Sequence, residues 1–411
     1  MHYISHFFAF NVTQQSIMEA KTTEHDETVV YSEEWLSSLP KAKGITEDNT
    51  YQYQGFWFGT ISLQGLIDCQ QHFRPRQNDV LLVTAPKSGT TWMKAILYAL
   101  LHRQKYHPQD AHHPLRQKTP HQLVPFMELT KPSEYDSLFL DSTSRIFGCH
   151  FPIRCLPKSI TEEDDDGSTN IKIVYLCRDI KDTFTSLFHF ANKIGLRRTG
   201  SRNFVALGGT SYFFFILLNH EASLFIFVHI YLHKYIPIKF WGLLQMGALG
   251  DCLTRLHYEP ALGLRSSPVS LEEAFHLFCK GTNVAGPIWD QILEYWKESL
   301  ERPNKVLFMR YEELKSEPHA QLRRLARFLG RPFSPEEELM EMVDQITSLC
   351  SFGSMSKLQV NSTGHFLPGV SNSSYFRNGQ VGEGNKWLTP EMAAKLDQIT
   401  QDKFRGSGLK L

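Results

Sequence analysis

Residues 81–100 read LLVTAPKSGTTWMKAILYAL. The first six, LLVTAP, form a short apolar run of the kind found in strands buried on both faces. A turn follows, Pro86-Lys87-Ser88-Gly89-Thr90-Thr91. Beyond it Trp92, Ile96 and Ala99 lie near one helical face, and Leu97, Leu100 and Leu101 widen the apolar stripe. A strand–loop–helix junction of this sort presents backbone N–H groups and the positive end of a helix dipole to an anion. Lys87 adds a mobile cation, and Ser88, Thr90 and Thr91 add hydroxyl donors. Gly89 permits close backbone approach. The usual nucleotide-hydrolase loop places four residues between its first glycine and its Gly-Lys pair, and this loop does not. The junction reads as a phosphate or sulfate site, and the plainer alternative is a turn with a lysine at its tip.

Two further runs, IKIVYLC (171–177) and KVLFMR (305–310), have the same strand character. A helix-like run covers 181–193, and another, AQLRRLARFLG (320–330), stops at Gly330 with Pro332 beyond it. The alternation predicts an α/β fold, a single domain with a central, mainly parallel sheet flanked by helices. Ligands of such sheets bind at the carboxyl ends of the strands. Order is expected from about Trp35, after a flexible N-terminal tail (1–34). That tail opens with MHYISHFFAFNVTQQ, which lacks the basic start of a signal peptide, and continues polar and acid-rich.

Two regions break the alternation. TEEDDDGSTN (161–170) reads as a solvated loop. The stretch 199–265 is apolar, with no Asp, Glu, Lys or Arg from Asn203 to His220. Its length is marginal for a membrane helix, and Gly208-Gly209 and Asn219-His220-Glu221 interrupt it. A buried insertion, or translated intron sequence, is the preferred reading over a membrane span.

Lys plus Arg and Asp plus Glu both number 43, so the formal net charge is zero. Composition demands no basic face, and no nucleic-acid partner is expected. The seven cysteines are scattered, without a CxxC pair or metal-ligand spacing. They read as reduced, mostly buried thiols of a cytoplasmic protein.

Three other constellations carry chemistry. In YLCRDIKDTFTSLFHF (175–190), Arg178 ends a strand and Ser186 lies two helical turns on, so both can reach one phosphate. In YFRNGQVGEG (375–384), Arg377, Asn378 and Gly379 form a flexible basic segment, and arginine offers a planar fork to a phosphate. Each of these is also readable as ordinary surface sequence. SRIFGCHFP (144–152) ends a strand-like run at His150, one of 18 histidines. Imidazole is the natural base near neutral pH, although pattern alone favours a structural or surface histidine there.

Taken together, these segments resemble the cytosolic sulfotransferase family, and its plant branch most closely. LPKAKG, YQYQGFW, LEEAFHLFCKG, YWKESLERPNKVLFMRYEELK and LTPEMAAKLDQI are similar to plant members as well. The resemblance covers most of 35–198 and 266–409 and implies a sulfotransferase domain spanning 35–409, interrupted by 199–265. PKSGTTW would be a P-loop-like, 5′-phosphosulfate-binding loop for 3′-phosphoadenylyl sulfate (PAPS). The resemblance implies that Lys87 contacts the bridging and sulfuryl oxygens and that Ser88, Gly89, Thr90 and Thr91 hold the 5′-phosphate. Trp92, Tyr311, Ser351 and Phe352 would contact adenine. Arg178, Ser186, Arg377, Asn378 and Gly379 would hold the 3′-phosphate. His150 matches the catalytic base, with Cys149 and Phe151 in place of the usual Thr and Leu. Gly148 stands where animal members often have a second lysine. In VGEGNKW, Glu383 keeps the family's acid while Gly384 replaces its tryptophan.

The implied reaction is direct in-line sulfuryl transfer to a small hydroxylated acceptor, such as a flavonoid, steroid or hydroxylated hormone. YQGFWFG (53–59) and LVPFME (123–128) are apolar enough to line its pocket. No metal is implied, and the chain is expected to act as a monomer or weak homodimer. The alternative is a noncatalytic or membrane-tethered nucleotide-binding protein of the same fold, inactivated by the 199–265 stretch.

Overall fold

The computed structural model describes residues 34–139, 144–162, 171–194, 263–265, 267–367 and 369–411, and the backbone alone of 33, 195–199, 204–209, 212–219 and 222–227. The expected tail up to residue 32, the acidic stretch 163–170 and residues 228–262 of the apolar region lie outside them.

Four strands make the central sheet. They are β1 (Val80–Thr84), β2 (Ile146–Cys149), β3 (Lys172–Cys177) and β4 (Val306–Arg310), in the order β4-β3-β1-β2. Every pairing is parallel, with Val83 opposite Cys149, Thr84 opposite Leu176 and Arg310 opposite Cys177. The strands are almost wholly apolar because helices cover both faces of the sheet. On one face Leu82, Val174, Leu176, Leu307 and Met309 pack with helix α1 (Thr90–Leu101) and with helices Pro318–Phe328 and Met342–Leu349. On the other, Tyr175 stacks on Tyr295 of helix Ile288–Glu301, with ring centroids 4.3 Å apart. Phe147 meets Phe73 edge-on at 5.6 Å, just past helix Thr60–His72. Full burial of each such side chain stabilises the fold by about 1.5–3 kcal/mol.

The expected strands therefore form where the apolar runs stand. The helix expected over 181–193 is longer: α2 spans Ile180–Thr199. Where the apolar run after it is described, it is extended rather than helical. Phe204–Gly209, Tyr212–Asn219 and Ala222–Phe227 pair as an antiparallel meander, as runs rich in aromatic and β-branched residues favour. Among the described residues, no helix is long and apolar enough to cross a membrane.

A small antiparallel sheet, Lys41–Ala42, Thr50–Tyr53 and Phe56–Gly59, precedes the core. The chain returns to it at 263–265. There Leu264 bridges Glu47, and Arg265 donates from its backbone to Thr46 O (2.9 Å) and from its guanidinium to Gly44 O (3.1 Å).

Candidate active site

Each strand of the sheet hands over, at its carboxyl end, to a residue singled out in the sequence. β1 enters the loop at Ala85, β2 is followed by His150, β3 by Arg178 and β4 by Tyr311. The parallel register brings these ends level. His150, Arg178, Tyr311 and Lys87 line one cavity of about 430 Å³, a size suited to a small molecule. Gly89, Thr90, Thr91 and Trp92 line it from α1, Ser186 from α2, and Ser351 and Phe352 from a later helix start. Arg377, Asn378 and Gly379 close another side. Ser88 differs from the rest. Its side chain is fully buried and its Oγ has no hydrogen-bond partner.

The loop bends through two left-handed residues, Lys87 (φ 71°) and Gly89 (φ 112°). A Cβ on Gly89 would come within 2.8 Å of the Tyr311 ring, so glycine is required on both counts. No side chain caps the first turn of α1, which leaves its N–H donors to a ligand. Such strained loop residues concentrate at functional sites.

Around the loop stands a group of cations. The Lys87 ammonium lies 4.1 Å from the Phe190 ring centre. Burial, and then Arg377, Arg178 and Lys193, hold its pKa down to about 7. Arg178 pairs with Asp182 at 3.1 Å, donates to Gln380 O at 2.6 Å and lies over the Tyr311 ring, while its buried Nε has no partner. Mutually repelling cations beside one orphaned donor have the charge and geometry that suit a polyanion.

The segment after Arg377 is tied down by a residue that the sequence did not single out. Asp182 accepts hydrogen bonds from Gly382 N (2.9 Å) and Gly384 N (2.7 Å). A Cβ on Gly384 would stand 2.6 Å from Lys181 Cβ and 2.7 Å from its carbonyl carbon. Gly384 thus lets this segment sit directly on α2. Three residues later Trp387 packs edge-on against His189 at 4.2 Å. Tyr311 Oη donates to Gly379 O at 3.2 Å.

His150 is half-buried, and its Nδ1 lies 2.7 Å from Thr84 O. A carbonyl only accepts, so Nδ1 carries the proton and Nε2 keeps its lone pair. Burial, with Lys94 and Lys87 adding to it, lowers the imidazole pKa to about 4 against the opposing effect of the Thr84 carbonyl. The group is therefore neutral at physiological pH.

Other groups near the reacting end escaped the sequence reading. Lys94 is fully buried, donates to Val124 O at 2.8 Å and lies over the Phe126 ring. Its signal was available, since it is the one charged residue in the apolar run 92–101. The buried His121 shares a hydrogen bond with Thr91 Oγ1 (Nε2–Oγ1 3.1 Å) and stacks on Phe126. Nothing local in KTPHQL marks it.

Comparison with known proteins agrees with this geometry: the chain belongs to the sulfotransferase domain family, which matches residues 77–408. Cytosolic sulfotransferase 6 of Arabidopsis thaliana is 36% identical over 390 residues, covering 94% of this chain and 96% of that one. Cytosolic sulfotransferase 13 of the same plant is 32% identical over 399 residues, covering 97% and 99%. Among solved structures, an Arabidopsis thaliana sulphotransferase superposes with TM-score 0.60 at 30% identity, covering 96% of this chain and 100% of that one. A mouse sulfotransferase complexed with PAP superposes with TM-score 0.54 at 21% identity, covering 87% and 95%, and shows the shared fold.

Proposed function

We propose that this chain is a cytoplasmic enzyme that transfers the sulfuryl group of PAPS to a hydroxyl of a small acceptor, with His150 as base. The observation that carries the reading is the bond from His150 Nδ1 to Thr84 O. It fixes the base on the strand whose next residues form the anion loop. The family's cytosolic names support the compartment. The domain is read as 35–409, with 199–265 inserted after the helix that carries Ser186.

The residues fit the cosubstrate. Arg178 Nε is a buried donor without a partner on the cavity wall, and no side chain caps the N–H groups at the start of α1. In the bound state PAPS supplies an activated sulfuryl group. Ser88, Gly89, Thr90 and Thr91 hold the 5′-phosphate through loop N–H groups and hydroxyls, and Trp92, Tyr311, Ser351 and Phe352 hold adenine. Arg178, Ser186, Arg377, Asn378 and Gly379 grip the 3′-phosphate. His150 Nε2 takes the acceptor's proton as its oxygen bonds to sulfur. Lys87 stabilises the charge that collects on the bridging oxygen as the old S–O bond breaks. Loop, arginines and imidazole hold both reactants in line.

The test is labelled-sulfate transfer from PAPS and from adenylyl sulfate, which lacks the 3′-phosphate. With charge-assisted hydrogen bonds of roughly 1.5–3 kcal/mol each, a preference of about a hundredfold or more is expected, and Arg178→Ala removes most of it. Equal use of the two donors by the folded wild-type protein would sink the reading.

A further inference from the structure

The cavity that His150 faces has two carboxyl groups in its wall that the reaction does not use. Glu128 is 5% exposed, and neither of its carboxyl oxygens has a hydrogen-bond partner. Glu47 lines the same cavity, and its Oε2 is buried without a partner. Burial raises the pKa of Glu47 to about 8. Burial likewise raises Glu128 to about 7, only partly offset by its own backbone N–H, by Lys94 and by the backbone N–H of His150, none of which lies in hydrogen-bonding geometry with a carboxyl oxygen.

Neither group can withdraw easily. A Cβ on Gly65 would fall 2.2 Å from Glu128 O, so the backbone at 128 is pressed against helix Thr60–His72. A Cβ on Gly59 would fall 2.2 Å from Glu47 Oε2, so that carboxyl is seated in a notch left by a glycine. The surrounding wall is apolar, with Ile61, Leu129, Ile194 and Val284. An unpaired buried acceptor costs stability until something donates to it. A carboxyl group keeps an accepting oxygen in either protonation state.

We propose that the acceptor carries, besides the hydroxyl that is sulfated, further hydroxyl groups that donate to Glu128 and Glu47. This rests on the cavity being the acceptor pocket of the reading above. The acceptor class is a polyhydroxylated molecule with an apolar body. Above about pH 8, where both carboxyls are ionised, acceptors bearing a carboxylate in that region are excluded by like charge and by loss of the donor.

The experiment measures binding by calorimetry at about pH 9, above the values given for both carboxyls, with adenosine 3′,5′-bisphosphate present. The probes are naphthols whose second ring carries a hydroxyl, a methoxy group or a carboxylate. The hydroxyl probe binds tighter than the methoxy probe by about tenfold or more, and the carboxylate probe binds weakest. In the double variant Glu128→Leu/Glu47→Leu that preference falls to within about twofold. If that variant fails to fold, Glu128→Gln and Glu47→Gln serve instead, and each admits the carboxylate probe more readily than wild type does. Equal binding of the hydroxyl and methoxy probes by wild type overturns the proposal. So does a preference that survives in the folded double variant, or continued exclusion of the carboxylate probe by both Gln variants. Binding preference without sulfated product would sink the transfer reading and leave only the recognition of hydroxyl groups by Glu128 and Glu47 standing.

Discussion

A Cβ atom on Gly148 would stand 2.5 Å from Cε and 3.0 Å from Nζ of Lys94. The two residues share one space, so the amine from α1 occupies ground that a side chain at 148 would take. Lys94 lies over Phe126, whose ring centre is 5.2 Å from that of His150. Its charge is one of the influences that lower the imidazole pKa. Gly148→Ala is expected to destabilise the protein by about 1–3 kcal/mol through overpacking. In a Lys94→Ala background most of that cost disappears, and a double-mutant cycle by chemical denaturation measures it.

His150→Ala separates chemistry from binding. Sulfate transfer is expected to fall by roughly a hundredfold or more, because proton removal loses its positioned base. Nucleotide affinity, read by calorimetry, should change by less than about threefold, since the imidazole grips no phosphate. Turnover at the wild-type rate in this variant would contradict the base assignment.

Lys87 makes nucleotide binding depend on pH. Its ammonium is held down to about 7 by burial and by Arg377, Arg178 and Lys193. Below that pH the side chain is charged before the anion arrives. Above it, a proton must be taken up for the charged pair to form. Affinity for adenosine 3′,5′-bisphosphate should therefore weaken as pH rises through about 7. Calorimetry in buffers of different ionisation enthalpy would detect proton uptake at pH 8 that diminishes at pH 6. Lys87→Met should abolish this difference.

Asp182 holds the closing segment on α2. Asp182→Ala removes the partner of Arg178 and of the Gly382 and Gly384 N–H groups at once. Nucleotide affinity is expected to drop by about tenfold or more, given the usual worth of charge-assisted bonds. Gly384→Ala should act in the same direction by pushing the segment off Lys181. Limited proteolysis within 379–386 is the second measurement, and both variants should be cut faster than wild type.

Much of this molecule was readable in one dimension. The run LLVTAPKSGTTW specified a strand, a tight loop and a helix start, because all three are made by neighbours in the chain. IKIVYLC and KVLFMR announced buried strands for the same local reason. The apolar run after Asn203 was less clear, since short hydrophobic segments suit strand and helix alike. Its backbone is extended where it is described.

Local sequence, through periodicity and backbone chemistry, was enough to predict the parallel sheet, the loop between its first strand and helix, and the basic residues that follow its strands. Packing alone decided which histidine carries a free Nε2, because Thr84 and His150 are 66 positions apart. It also placed Lys94 against Gly148, left Glu128 without a partner, and set Asp182 under Gly384, 202 positions away. A side chain's protonation and partners depend on what folding brings beside it, and one-dimensional spacing carries no record of such neighbours.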